Sequence, residues 1–359
     1  MVAVDRVRPE VVFEQVDRLA RDLAELTPVF DARARAVTAG LGLPHPGKVY
    51  LVGSGDSYHA GCAAEMSFES IAGVACEPMS SLRFLEYGAA AAALDGGPVL
   101  VVLTSASGET ERVVQCAVAA RRIGARTVAV VGAPDCALSA AADATLMVEI
   151  ADRVRSPGIR TYQASLLGLL LLAVRLAAAR GQCSDADALA ATLAELAGPL
   201  GATNALLADR SAAQADRLAA APTVAVVGSG PGWGCALFGA AKLVETAGVP
   251  AVGVDTEEWC HVEWLARPAD LPVVVVAPPG RSLWRAGSMA AQAAGAGRWV
   301  VAVVDEHDDM VAPHAAAVLP VRGRTREEFS PLLYHLFASH LAGHVALLLG
   351  RAPFLTDGS

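Results

Sequence analysis

The feature that most constrains this chain is an internal repeat with a spacing of 175 residues. The sequence Val-Gly-Ser-Gly begins at position 52 and begins again at position 227. The same shift places Ala-Gly-Val at 72–74 over Ala-Gly-Val at 247–249. Solenoid repeats are about 20–50 residues long. A repeat this long therefore predicts two related domains rather than a stacked array.

Composition limits the size, partners and compartment of the protein. At 359 residues the chain suits two domains of about 150 residues each. The net charge of −9 provides no basic surface for nucleic acid. The seven cysteines include no CxxC pair, which favours a reduced, cytoplasmic protein over a disulfide framework or a zinc site. The most apolar stretch, residues 164–174, is shorter than the roughly 20 residues of a membrane helix, so we expect a buried helix and no membrane partner.

Hydrophobic patterning predicts an α/β fold in each half. Short apolar strands alternate with helical patterns after a helical start at 9–37, and the strands are apolar throughout. Predicted strands are 49–52, 99–103, 127–131 and 144–150, then 223–227, 251–254, 273–276, 299–304 and 317–320. Predicted helices are 60–71, 110–123, 162–182, 186–219 and 331–349. This alternation predicts parallel sheets covered by helices on both faces. The expected boundaries are a helical segment at 1–40 and domains at 41–200 and 201–359.

Two predicted strand ends in the first half carry clustered hydroxyl groups. Ligands of parallel sheets bind beyond the carboxyl ends of the strands, where helix N-termini point. Phosphate needs several short donors together, and Ser105, Ser107 and Thr110 provide them opposite the Gly-Ser-Gly-Asp-Ser turn at 53–57. Helix capping is the alternative role for such hydroxyls. The matching turn of the second half, Ala-Pro-Pro-Gly at 277–280, has no hydroxyl, so the sequence predicts an anion site in the first half only.

The second half carries titratable groups where the first has serines. Lys242 and Glu245 correspond to Ser67 and Ser70, and their spacing places them on one helix face. A run Glu-Glu-Trp-Cys-His ends at His261, sixteen positions after Glu245. A surface ion pair and a solvated histidine are the structural alternatives. Near the strand ends, this set would suit sugar isomerisation, in which a base removes a proton beside a carbonyl and a histidine opens the sugar ring.

These motifs resemble those of double sugar-isomerase (SIS) domain proteins, in particular the isomerase half of glutamine–fructose-6-phosphate aminotransferase. Gly-Asp-Ser-Tyr-His-Ala-Gly at 55–61 looks like the first phosphate loop of that family, and Ser-Ala-Ser-Gly-Glu-Thr at 105–110 looks like its SQSGET motif. Residues 239–245 resemble the helix with the enolising glutamate, and Phe-Glu-Gln at 13–15 resembles the short first helix. The resemblance covers nearly the whole chain and implies two tandem SIS domains, each a flavodoxin-like α/β/α sandwich.

The resemblance also implies roles for individual residues. Glu245 would move the proton, Lys242 would stabilise negative charge on oxygen, and His261 would reach the site from the neighbouring subunit of a homodimer. The residues expected to bind the sugar phosphate are Ser57, Ser105, Ser107, Thr110, Asp56 and Ser156. Both groups of residues are expected to serve one pocket. Neither a metal nor a nucleotide cofactor is implied, and the sequence has no complete GxGxxG or GxxxxGK[ST] motif.

Several positions depart from the family pattern. Residue 2 is Val, so a glutaminase domain with an N-terminal cysteine is not expected, and residues 353–359 contain no lysine to form a Schiff base. Ala106 stands where the motif has Gln, and Asp56 replaces a small hydroxyl residue. A carboxylate repels phosphate, so Asp56 would face a sugar hydroxyl or indicate a differently charged substrate. The arginines that could offset its charge are Arg153, Arg155 and Arg160.

Three functions fit this sequence. The first is an aldose–ketose isomerase, or an amino-sugar phosphate deaminase or deglycase, working through an enediol or enolamine without glutamine hydrolysis. The second is a sensor that binds a sugar phosphate without catalysis, although a sensor would not need Lys242, Glu245 and His261. The third is an enzyme for an unphosphorylated or unusual amino sugar in a specialised pathway, which Asp56 and Ala106 favour.

Overall fold

The computed structural model of the chain describes residues 7–42, 45–94 and 97–354. These residues form two compact units. The first unit contains Arg21–Asp152 and Arg160–Ala197. The second contains Arg153–Ile159 together with the described residues of Met1–Ala20 and Gly198–Ser359. Each unit therefore holds one copy of the sequence repeat.

Among the described residues, each unit has one sheet of five parallel strands. The strands of the first unit are β1 (Lys48–Gly53), β2 (Ala75–Ser80), β3 (Val99–Ser105), β4 (Arg126–Val131) and β5 (Ala144–Met147). Those of the second are β6 (Val224–Gly228), β7 (Ala251–Asp255), β8 (Pro272–Ala277), β9 (Trp299–Asp305) and β10 (Ala317–Val321). The spatial orders, β2-β1-β3-β4-β5 and β7-β6-β8-β9-β10, are the same. This is the flavodoxin-like order, and the predicted fold class is confirmed.

Helices cover both faces of each sheet. In chain order they are α1 (Val11–Val16), α2 (Leu19–Gly40), α3 (Asp56–Ser70), α4 (Ser81–Arg83), α5 (Ala89–Ala92), α6 (Glu111–Arg122), α7 (Ala137–Ala141), α8 (Arg160–Ala179), α9 (Ala186–Glu195), α10 (Ala197–Ala212), α11 (Ala215–Ala219), α12 (Pro231–Ala247), α13 (Thr256–His261), α14 (Leu283–Gly295), α15 (Pro331–Tyr334) and α16 (Leu336–Leu349). A π-helical turn at Phe84–Gly88 joins α4 to α5, and 3-10 turns occur at Glu263–Leu265, Ala312–His314 and Glu327–Phe329. Helices α3 and α8 pack together in the first unit, and α12 and α16 do so in the second.

The central strands are apolar because both of their faces are buried. Every residue of β3 and of β8 is buried, as expected for parallel sheets covered on both sides. Helix α8 and the segment Glu327–Leu349 are long and apolar enough to span a membrane, but 89% and 78% of their apolar windows are buried inside the protein. The core helix of a globular protein passes the same length test. The predicted buried helix at 164–174 is therefore confirmed.

The sequence repeat is also a backbone repeat. Strands β1 and β6 end at Gly53 and Gly228, and α3 and α12 begin three positions later in each copy. The intervening Gly55 and Gly230 have φ of 53° and 54°, in the left-handed region that favours glycine. A Cβ on Gly53 would lie 2.7 Å from the backbone carbon of Ser57. Glycine at these positions allows the strand to turn tightly into the helix.

Some elements differ from the sequence prediction. Strand β2 and helix α14 were not predicted, and β5 ends at Met147 rather than at residue 150. Strand β2 is an edge strand with Glu77 and Pro78 in its middle. An edge strand pairs on one side only and tolerates polar residues and proline. It therefore lacks the continuous apolar run by which the central strands were found.

Candidate functional site

The hydroxyl loop of the first unit follows β3 and leads into α6. Ser105 Oγ accepts the Gly108 N–H at 3.1 Å and lies 3.0 Å from Thr110 Oγ1. Ser107 Oγ accepts the Glu109 N–H at 3.2 Å. Thr110 is the N-cap residue of α6, but the described side-chain contact of its hydroxyl is with Ser105, not with a helix N–H. Capping alone does not explain this cluster.

The loop is held in a single shape while two of its hydroxyls remain accessible. Gly108 has φ of 71°, and a Cβ there would lie 2.1 Å from the sulfur of Cys136. The Glu109 carboxylate accepts the N–H of Ala137 at 3.0 Å, which ties the loop to α7. Ser105 is buried, whereas Ser107 and Thr110 are exposed. The exposed pair could donate to an anion.

A second loop of the first unit joins β1 to α3 and carries Asp56 and Ser57. Because β1 pairs with β3 in parallel, the carboxyl ends of these strands are neighbours. Asp56 Oδ1 lies 3.7 Å from His59 Nδ1, and both side chains are mostly buried. Ser57 is half-buried in the first turn of α3. Ser54 Oγ lies 2.7 Å from the Ser81 hydroxyl, which follows the unpredicted β2. Ser81 is therefore a site neighbour that the sequence analysis missed.

Arg160 and Ser156 are on neither of these two loops. The Arg160 side chain is buried, and its guanidinium donates to both carboxylate oxygens of Asp22, at 2.5 and 2.9 Å. The Asp22 carboxylate pairs with the Arg160 charge, so Arg160 is not available to offset Asp56. Ser156 is half-buried in the segment Arg153–Ile159, which belongs to the second unit.

In the second unit, the fully buried Lys242 forms an ion pair with the partly exposed Glu245 on α12. The Lys242 side chain has 0% exposure, and Nζ donates to Glu245 Oε2 at 2.5 Å. Nζ also lies 4.9 Å from the centre of the Phe238 ring, close enough for a cation–π interaction. The Glu245 side chain is 33% exposed. The surface-pair alternative is wrong, because the ammonium is fully removed from water.

His261 ends the short helix α13 and is largely exposed. The histidine side chain has 69% exposure, and Nε2 lies 3.1 Å from Glu257 Oε1. The other oxygen of Glu257 accepts a hydrogen bond from Arg285 on α14. The Arg285 guanidinium and then His261 lower the pKa of the Glu257 carboxyl. Arg285 lies 24 positions beyond His261, and no sequence pattern indicates this contact.

The acid–base residues of the second unit are separated along its fold. Helix α12 starts where β6 ends and runs back toward the start of β7. Glu245 is fourteen positions after Pro231, or about 21 Å along the helix axis at 1.5 Å per residue. Helix α13 with His261 begins directly at the carboxyl end of β7. The predicted position near the strand ends fits His261 but is wrong for Lys242 and Glu245.

The cysteines are free thiols, with Cys183 and Cys260 partly exposed and the rest buried. Burial raises the pKa of the Cys62 and Cys116 thiols to about 12. Within the described ranges, no group of three or more His, Cys, Asp or Glu side chains is arranged to hold a metal ion.

Comparison with known protein families identifies the domain that contains the first copy of the repeat. Residues 43–175 match the SIS domain family. This chain is a SIS-domain protein. Over 352 residues it is 30% identical to glutamine–fructose-6-phosphate aminotransferase [isomerizing] from Xylella fastidiosa, covering 96% of this chain and 55% of that relative. The SIS protein thus spans little more than half the length of the relative, and the resemblance predicted from its motifs is confirmed.

Solved structures support the same fold over the whole SIS protein. The C-terminal domain of glucosamine-fructose-6-phosphate aminotransferase from Francisella tularensis superposes with a TM-score of 0.78 at 17% identity, covering 95% of this chain and 96% of that one. Glucosamine-6-phosphate deaminase from Thermotoga maritima gives a TM-score of 0.72 at 18% identity, covering 96% and 98%. At these identities the likeness establishes the fold alone.

Proposed function

We propose that this SIS protein is an enzyme acting on a sugar phosphate. It catalyses aldose–ketose isomerisation, or the deamination or deglycation of an amino-sugar phosphate, without hydrolysing glutamine. The observation that carries the proposal is the fully buried Lys242 ammonium bound to Glu245. Burying an ion pair costs desolvation energy, and the first copy has Ser67 and Ser70 at these positions. The fold does not require the pair, so we infer that it is retained for chemistry.

The first unit supplies the phosphate-binding groups in this proposal. The phosphate-binding hydroxyls are those of Ser57, Ser105, Ser107 and Thr110. Their loops precede the N-termini of α3 and α6, where helix N–H groups attract anions. Asp56 and Ser156 would contact sugar hydroxyls rather than phosphate, because a carboxylate beside a phosphate is repulsive.

Glu245 is the proton-transfer group. Its carboxylate takes the proton from C2 of the open-chain aldose, the C–H electron pair becomes the C1–C2 double bond, and the C1 carbonyl oxygen takes up a proton to give an enediol. Loss of the proton from the C2 hydroxyl and return of a proton to C1 then give the ketose. With a 2-amino sugar the intermediate is an enolamine, which tautomerises to an imine that water hydrolyses to release ammonia. Lys242 stabilises the negative charge that develops on the substrate oxygen.

His261 is proposed to open the sugar ring in the neighbouring subunit of a homodimer. Two observations support this: its side chain is 69% exposed, and α13 and the last turns of α12 lie at different ends of the second-unit strands. A ring-opening histidine needs an accessible imidazole that can exchange a proton with the ring oxygen. Activity that falls on dilution and returns on association is the expected signature of this arrangement.

The test is proton exchange with a panel of hexose 6-phosphates and 2-amino-hexose 6-phosphates. Wild type should wash deuterium from C2 into solvent for at least one panel member. Glu245→Gln should slow exchange by about 10²–10⁴, the usual contribution of a general base, and should keep the ligand-induced thermal shift. The matched control is Glu69→Gln, an exposed carboxylate on α3. A wild type that binds panel members without exchange would instead be a sensor.

A second candidate substrate is an unphosphorylated or unusual amino sugar. The observation that favours it is Asp56, whose carboxylate lies in the first turn of α3, 3.7 Å from His59. A carboxylate there would bind an ammonium group better than a phosphate. Inorganic phosphate and hexose 6-phosphates should compete with the substrate if it is phosphorylated. Turnover of an amino sugar that neither anion inhibits would favour this second candidate.

A further inference from the structure

The end of helix α12 is closed by chain from beyond the last helix. A helix leaves its last carbonyls without intrahelical partners. The Phe354 N–H donates to the Glu245 carbonyl at 2.8 Å. Arg351 Nη1 donates to the Ala247 and Gly248 carbonyls at 2.8 and 3.2 Å. Three carbonyls at the end of the helix that carries Glu245 are thus bound by residues 351 and 354.

The closing segment has the backbone geometry of a fixed element. Gly350 ends α16 with φ of 62°, which turns the chain back toward α12. Phe354 has φ of 63°, a left-handed conformation that is uncommon and costly for a bulky residue. Strain of this kind persists only where surrounding contacts impose it. The Arg351 charge at a helix C-terminus is also favourable, because the helix dipole is negative there.

We propose that Arg351 and Phe354 are positioning residues for Glu245. They do not touch the substrate; they fix the last turn of α12 and thereby keep the Glu245 carboxylate at the Lys242 ammonium. This inference rests on the proposed function, in which Glu245 transfers the proton. Residues 355–359 lie outside the described structure.

The proposal predicts a loss in turnover rather than in binding. Phosphate binding is assigned to first-unit loops, which the closing segment does not form. Misplacing a reacting group by about 1 Å can cost about 10² in rate. Loosening the end of α12 should therefore lower kcat and leave KM and the ligand-induced thermal shift near wild type.

The experiment compares two substitutions at each residue. Phe354→Pro removes the N–H and cannot adopt positive φ, whereas Phe354→Gly keeps the N–H and tolerates that φ. Arg351→Ala removes the donor, and Arg351→Lys retains a cation that can reach one carbonyl. Leu348→Ala, at an exposed position near the end of α16, is the control. kcat, KM, the pH profile of kcat/KM and the melting temperature are measured for each with the best substrate of the panel.

We expect Phe354→Pro and Arg351→Ala to lower kcat about tenfold or more, with smaller losses for Phe354→Gly and recovery by Arg351→Lys. Equal kcat in Phe354→Pro and wild type, with Glu245→Gln inactive, would overturn the positioning role and leave the proposed function standing. Should Phe354→Pro fail to fold, the Arg351 pair decides, and an Arg351→Ala enzyme with wild-type kcat overturns the role. A wild type inactive on every panel member overturns both proposals together.

Discussion

Helices α3 and α12 occupy the same place in the two copies and differ in what they bury. Both follow a strand–glycine turn with nearly identical backbone angles. Ser67 on α3 and Lys242 on α12 correspond, and each has 0% exposure. The same backbone arrangement therefore buries a serine hydroxyl in the first unit and a lysine ammonium in the second, where Glu245 pairs with it. The comparison teaches that one backbone frame accepts either two serines or a Lys–Glu ion pair at the same two helix positions.

The loops that follow β3 and β8 also differ, but here the first unit carries the polar side chains. The first-unit loop after β3 presents exposed hydroxyls, while the matching loop after β8 contains Pro278 and Pro279. In the second unit, the Glu327 carboxylate accepts the Arg281 N–H at 3.1 Å. A Cβ on Gly280 would lie only 2.2 Å from that carboxylate. The Glu327 carboxylate occupies the second loop, which is why the anion site is proposed in the first unit only.

The largest effect is expected when the charge at position 242 of α12 is removed, as it is absent at the matching position of α3. Lys242→Met should lower kcat by about 10²–10³, because the transition-state oxyanion loses its positive partner. The free energy of unfolding should fall by about 1–3 kcal/mol, less than for a fully buried broken pair, because the Glu245 carboxylate that loses its partner is one-third exposed. Proton exchange and urea unfolding measure the two effects. Full activity in Lys242→Met would remove Lys242 from the mechanism.

The reverse substitution should damage α3. Ser67→Lys places an ammonium at a fully buried site without a designed partner, and should destabilise the protein by several kcal/mol, about 3–5. Adding Ser70→Glu recreates the pair of α12 and should restore part of the loss. Urea unfolding of the single and double variants measures the coupling. A Ser67→Lys protein as stable as wild type would show that the two frames are not equivalent.

A smaller effect is expected from the paired loops. Thr110→Val removes an exposed hydroxyl and should weaken sugar-phosphate binding about tenfold, the value of a hydrogen bond to a charged group. Ser282 occupies the matching position before α14, and Ser282→Ala should change affinity less than about twofold. Titration of each variant with the panel ligand decides. Equal losses in both variants would mean that the loops share one function.

The last prediction concerns how the free energy of unfolding depends on pH, because one titratable group in each unit changes it in the opposite direction. In the second unit, burial and then His344 lower the pKa of His340 to about 4. In the unfolded chain the pKa of His340 is near 6.5, so on acidification the unfolded state takes up the proton before the folded state does. His340 therefore makes the free energy of unfolding fall as the pH drops from about 6.5 to 4. In the first unit, burial, then Glu69 and Glu77, raise the pKa of Glu65 to about 7. The folded state holds that proton longer, so Glu65 makes stability fall as the pH rises from about 4.5 to 7.

In wild type these two effects on the free energy of unfolding have opposite pH dependence, so a variant that removes one group should show the effect of the other. Glu65→Gln should leave a stability that rises with pH between about 4 and 6.5. His340→Gln, whose amide can still donate to Asn204, should leave one that falls toward pH 7. Urea unfolding across this range is the measurement. Unchanged slopes in both variants would assign the pH dependence to other groups.

What the sequence could predict follows from how local each signal is. Strands β3 and β8 were found because burial on both faces demands continuous apolar runs. The Lys242–Glu245 contact was found because helical spacing alone brings the two residues together. The burial of Lys242 was not, since it depends on packing of α12 against α16, about a hundred positions later. Arg285 was missed for the same reason: α13 and α14 meet only in three dimensions.

The free thiols have a practical consequence. Most are buried, and a pKa near 12 leaves Cys62 and Cys116 almost no nucleophilic thiolate at neutral pH. Cys183 and Cys260 are partly exposed, so an alkylating fluorophore at mildly alkaline pH should label these two first. Cys260 directly precedes His261. A dye attached there, on the unmutated chain, would report by its emission whenever another molecule covers the imidazole.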